Sequence, residues 1–206
     1  MTTKIITGLY DTYDDAAQTV RDLAASDIPD ADISVVANNV DNGYVLGEES
    51  SAAPDAEAGA VVGSVLGGGA GLLAGLGLLA IPGVGPVVAA GWLVSTAVGA
   101  IAGAGAGAAT GGVIGSLTSA GVSREHAHVY AEGVRRGGSL VTARVEGHRA
   151  AAVEEIMSRH RSVDPDTRGR VYREGGWRAF DEASPPYTAE ELERERERTR
   201  DLIPIA

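Results

Sequence analysis

The side chains able to do chemistry are few, and their spacing argues against a shared site. Four histidines are present: His126, His128, His148 and His160. His126 and His128 fall on a predicted helix, where a step of two turns the chain by roughly 200°, so the two rings cannot meet at one metal ion. The acidic pairs Asp14-Asp15 and Glu154-Glu155 sit on predicted helices and Glu48-Glu49 in a linker. Adjacent carboxylates of this kind read as solvated faces, because general acid or base work needs a pocket around the group. No GxSxG nucleophile elbow occurs, and there is no cysteine for thiol chemistry or disulfides. Gly75-Leu76-Gly77-Leu78-Leu79-Ala80 fits GxGxxA, but it lies in an apolar run without the strand-turn-helix setting a pyrophosphate requires. No GK[ST] is available for a Walker loop. Arg135-Arg136 precede Gly137-Gly138 at a predicted helix end, where cations complement the helix dipole. The expectation is a protein that is not an enzyme, with no cofactor and no metal.

The chain is organised around the stretch from Ala58 to Ser123, which holds no Asp, Glu, Lys, Arg or His. Its length suffices to cross a bilayer twice, one span taking about 20 apolar residues. Small residues recur every fourth position: Gly59, Gly63, Gly67, Gly71 and Gly75, then Gly91, Ser95, Gly99, Gly103, Gly107, Gly111 and Gly115. On a helix that spacing makes a stripe along which a second backbone approaches closely. Ile81-Pro82-Gly83-Val84-Gly85-Pro86 interrupts the run with two prolines and two glycines. The pattern predicts a helical hairpin, Ala58–Ala80 and Val87–Ala120, with Trp92 near its turn.

On either side lie two β-α-β units. Lys4–Tyr10 predicts a strand, and Asp11 or Thr12 caps a helix carrying Ala16, Val20, Leu23 and Ala24. Ile33–Ala37 predicts a second strand. After the hairpin, Ser123 caps a helix with Ala127, Tyr130, Ala131 and Val134 on one face, stopped by Gly137-Gly138. A strand over Leu140–Val145, a helix with Val153, Ile156 and Met157, and a short strand near Arg161–Asp164 follow. The expected fold class is α+β: a ferredoxin-like split β-α-β domain, helices on one face of an antiparallel sheet, interrupted by the apolar hairpin and followed by a charged C-terminal helix. The boundaries are 1–47 for the first half, 48–57 linker, 58–121 hairpin, 122–166 second half and 167–206 tail. In the tail, Thr188 and Glu191 form a capping box before a helix laced with Glu–Arg pairs. It reads as a solvated helix or, alternatively, as a polar arm docked on a neighbouring subunit, for which Trp177, Phe180 and Tyr187 are the anchors.

A net charge of −11 over 206 residues excludes the basic footprint of nucleic-acid binding and any polybasic attraction to anionic lipid. The start, MTTKIITGLYDTYDD, does not read as a signal peptide, so an intracellular site, cytoplasmic or inner-membrane associated, is expected. The partners implied are further copies of the chain and, through hydrophobicity alone, a lipid bilayer.

The segment GLYDTYDDAAQTVRDLAASDIPDADISVVAN resembles the start of the general stress protein (YflT-like) domain family, with its short strand, acidic turn, helix and ISVV-type strand. The stretch from Ala58 through HVYAEGVRRGGSLVTARV resembles bacterial stress-associated proteins with a glycine-zipper hairpin in this domain. The resemblance covers about Lys4–His160 and implies a role in stress response, with no catalytic residues to carry over. Together these readings predict a non-enzymatic stress-associated structural protein that self-assembles through a glycine-zipper hairpin in contact with membrane. The alternative is a soluble homo-oligomer whose hairpins bury one another.

Overall fold

A computed structural model describes residues 2–40, 77–93 and 113–200. Five strands form one antiparallel sheet: β1 (Thr3–Tyr10), β2 (Ile33–Asn38), β3 (Gly77–Ile81), β4 (Gly85–Gly91) and β5 (Ser139–Glu146), in the order β1-β5-β2-β4-β3. Among the described residues there are six α-helices: α1 (Tyr13–Ala25), α2 (Val113–Ser119), α3 (Arg124–Arg135), α4 (Ala150–Arg159), α5 (Pro165–Glu174) and α6 (Ala189–Arg200).

β5 comes late in the chain but lies between β1 and β2, pairing Thr3 with Glu146 on one side and Ile33 with Ala143 on the other. The β1-α1-β2 crossover therefore spans β5. The expected strand near Arg161–Asp164 is a single bridge, Val163 to Leu9, its N–H donating to the Leu9 carbonyl at 2.7 Å.

Helices cover both faces of the sheet, whereas the sequence reading placed them on one. Alternate strand residues divide between two cores. Val35, Ala37, Val141, Ala143, Val88 and Ala90 pack against Val20 and Leu23 of α1 and Val153 and Met157 of α4. Val36, Leu140, Val87 and Ala89 pack instead under Leu117 of α2 and Ala127, Ala131 and Val134 of α3. Every residue of β2 is buried, as expected of a central strand covered twice. The helix expected after Ser123 thus forms, with α2, the second layer of the sandwich.

The helical-hairpin reading fails between residues 77 and 91. That part of the charge-free stretch is a β-hairpin, with β4 paired to β2 from Ser34–Gly91 to Asn38–Val87 and β3 paired to β4 from Gly77–Ala89 to Ile81–Gly85. The Pro-Gly break is a tight turn. Gly83 has φ +74°, and Val84 N–H returns to the Ile81 carbonyl at 3.0 Å. Proline followed by a positive-φ glycine is the demand of a type II turn. The physical reason for the error is that Val87-Val88-Ala89-Ala90 is buried on both faces, and such a run has no period to tell strand from helix.

Of the small-residue stripe, Gly91 ends β4 and Gly115 lies in α2. Gly91 has φ +94°, and a Cβ there would fall 2.2 Å from the Ile33 carbonyl oxygen, so it serves close approach of β4 to β2 and not helix packing. Gly59, Gly63, Gly67, Gly71, Gly75, Ser95, Gly99, Gly103, Gly107 and Gly111 lie outside the described residues.

Candidate functional site

The densest polar arrangement lies where the C-terminal end of α3 meets β1, α5 and α6. It begins with how α3 ends. Arg136 is the C-cap and Gly137 follows with φ +93°; Gly138 N–H bonds the Gly133 carbonyl at 2.9 Å and Gly137 N–H the Val134 carbonyl at 3.0 Å. These two bonds make a Schellman motif, in which glycine supplies the left-handed residue. Asn38, buried at the end of β2, donates its Nδ2 to the same Val134 carbonyl at 3.0 Å, so a neighbouring strand gives this helix-end carbonyl a second donor.

On this end sit Arg135 and Arg136. Both reach back to Glu132, which is fully buried: Arg136 Nε donates to Oε1 at 2.7 Å and Arg135 Nη1 to Oε2 at 3.4 Å. Arg136 also holds Glu195 of α6 at 2.5 Å, and its guanidinium lies 4.3 Å from the centre of the Tyr172 ring of α5. Burial alone would lower the Arg136 pKa, but the hydrogen bonds from Glu132 and Glu195 outweigh it and raise it above its ordinary value. Below Tyr172, Arg168 clamps Asp11 with two bonds of 2.7 and 2.8 Å. Burial pushes the Tyr172 hydroxyl up to about 12 against the pull of Arg168 and Arg136, so it stays protonated.

The three aromatic residues of the tail pack within this same chain. Phe180 is buried in the core with Val84, Val87 and Leu117. Trp177 meets Tyr172 edge to face at 5.6 Å, and Tyr187 lies under Arg135 at 4.8 Å. The capping box forms as expected: Thr188 N–H donates to Glu191 at 2.8 Å, and Glu191 N–H to the Thr188 hydroxyl at 3.3 Å. Leu192 of α6 is completely buried. A boundary at residue 166 falls inside α5, so residues 122–200 fold as one piece with the sheet.

The remaining chemical candidates stay apart. His126 pairs with Asp166 at 2.9 Å and His160 with Asp22 at 2.8 Å. Burial lowers the pKa of His128, and His148 lies near Glu146 at 3.3 Å. Among the described residues no group of histidines and carboxylates is placed to hold a metal ion. Asp15 caps α1 with Thr12, while Glu154 lines an open groove beside β1. Gly75 of the GxGxxA stretch lies outside the described residues, and Gly77–Ala80 is strand β3. Among the described residues no helix is long and apolar enough to cross a membrane.

Sequence reasoning missed Glu132, Arg168 and Asn38, and it offered Asp11 as a helix cap, whereas Thr12 is the cap and Asp11 pairs with Arg168. The available signals were Asp164-Pro165, a cap followed by proline at the first helical position, and the i,i+4 spacing of Glu132 and Arg136. The arrangement is chemically saturated: each cation is occupied by a carboxylate or a ring, so it clasps the tail to the domain.

Fold and clasp define a mixed α/β protein on an antiparallel sheet. Residues 5–83 match the family model described as the heat induced stress protein YflT domain, and over that stretch the chain is YflT-like. The match spans β1, α1, β2 and β3 and ends in the turn before β4. The match supports a stress-associated role. No curated protein and no solved structure matches the chain.

Proposed function

We propose that this chain is a non-enzymatic, stress-associated structural protein that acts by binding copies of itself, with its charge-free stretch buried against protein. The observation that carries the reading is the YflT match over residues 5–83. The core is read as a ferredoxin-like split β-α-β domain. β1-α1-β2 encloses β5, and β5-α4-Val163 encloses β1, the last strand being worn down to one bridge. Self-assembly rests on the small-residue spacing in residues 59–75 and 95–111, which suits close backbone contact.

One observation favours burial in protein over insertion in lipid. The middle of the charge-free stretch, residues 77–91, is spent on two strands of the domain's own sheet, with Val84, Val87 and Val88 fully buried. A two-span hairpin turning at residues 81–86 would tear β4 from β2. The test is twofold. In the native host, heat challenge should raise the protein's abundance, and deletion should lower survival. In carbonate extraction of the membrane fraction, the protein should appear in the soluble wash; full retention in the pellet would overturn the protein-buried reading in favour of the bilayer.

A further inference from the structure

We infer that the outer edge of β1 pairs antiparallel with β1 of a second copy, about a two-fold axis at Ile5, joining two sheets into one. This surface is separate from the small-residue stretch. Val163 N–H bonds the Leu9 carbonyl, so Leu9 and the residues two, four and six before it direct their backbone groups away from β5. Among the described residues only Leu9 of this row has a strand partner. The Thr7 carbonyl takes the Tyr130 hydroxyl at 3.5 Å, and Thr7 borders an open groove of about 270 Å³ lined also by Ile6, Glu154, Met157 and Val163. Such an edge is a template for another strand.

Complementarity selects a second copy and one register. With Ile5 opposite Ile5, Thr3 faces Thr7 and Lys4 faces Ile6. Lys4 is the only lysine in the chain and makes no ion pair among the described residues. Glu154, which shares the groove with Ile6, makes none either, so each copy brings an unspent cation to the other's unspent carboxylate. Thr3 of the second copy opposite Thr7 makes a favourable cross-strand pair. Neighbouring registers fail. Sliding one way sets Lys4 against Lys4; sliding the other sets Thr3 on Leu9, which Val163 already holds. The free edge ends where the paired segment ends.

The chain has no cysteine, which makes the test direct. Ile5→Cys is purified in reducing buffer, then mildly oxidised, with Ala183→Cys as an exposed control. The expected result is a covalent dimer for Ile5→Cys, formed well ahead of the control. Lys4→Glu in the Ile5→Cys background should weaken association by about tenfold or more, two attractive pairs becoming repulsive. Lys4→Glu with Glu154→Lys should restore it. Equal cross-linking at the two cysteines overturns the pairing, and cross-linking unaffected by Lys4→Glu overturns the register. Because the readout sits at residue 5, assembly through the small-residue stretch alone yields no preferential Ile5→Cys product.

Discussion

Replacing Arg136 with methionine removes the centre of the clasp while keeping most of its apolar bulk. Glu132 is completely buried, and its short bond, 2.7 Å, is to Arg136; the bond to Arg135 is 3.4 Å and cannot substitute for it. Glu195 loses its 2.5 Å partner and Tyr172 the cation over its ring. The Arg136 side chain is only 12% exposed, so screening by solvent discounts little. Removing one member of a buried pair costs about 3–5 kcal/mol, because the remaining charge is stranded. The comparison is Arg161→Met. Arg161 holds Asp15 at an equally good 2.7 Å but is 70% exposed, and an exposed pair screened by solvent contributes little. Urea unfolding at pH 7, followed by far-ultraviolet circular dichroism, measures both. Glu132→Gln should soften the Arg136→Met loss, since the stranded charge is then gone. If Arg136→Met costs no more than Arg161→Met, the buried network does not hold the tail and the reasoning is wrong.

Further expectations concern the tail and acid. Leu192→Ala should cost about 2–5 kcal/mol, because its side chain is wholly buried, and should open the segment before α6 to limited proteolysis. Asp164 is held below its ordinary value by the Thr167 hydroxyl and then the Thr167 N–H, and Glu191 by the Thr188 N–H and then its hydroxyl. Depressed carboxylates give stability that is full above their unfolded values near pH 4 and is lost as pH falls through the lower folded values. The urea midpoint should therefore drop on acidification below about pH 4, and Asp164→Asn should flatten that drop.

The two β-α-β units were legible because their signals are local. Thr12 and Ser123 cap α1 and α3, and Val20, Leu23, Ala127 and Val134 face the cores their spacing assigns them. The β3–β4 hairpin was not, because a run without charge has no polar face, and glycine every fourth residue fits a helix stripe as well as a strand that needs one close approach. The second helical layer was hidden for another reason: whether β2 is covered once or twice depends on where α3 packs, a long-range fact. The clasp was hardest. Asp11 and Arg168 are far apart in sequence, and nothing near either announces the other. Glu132 looks like any surface glutamate until its two arginine neighbours fold back on it.

Gly91→Ala separates the sheet from the helical hairpin by the sign of one number. In a helix interior, alanine in place of glycine stabilises by roughly 0.8–1 kcal/mol. In the sheet, Gly91 holds φ +94°, and the new Cβ would meet the Ile33 carbonyl oxygen at 2.2 Å and the Ser34 Cα at 2.7 Å. Left-handed backbone costs a non-glycine residue about 1–2 kcal/mol, and the clash adds to it. The account predicts that Gly91→Ala lowers the unfolding free energy in urea by about 2 kcal/mol or more. An unchanged or raised stability would contradict it and return the charge-free stretch to the helical hairpin.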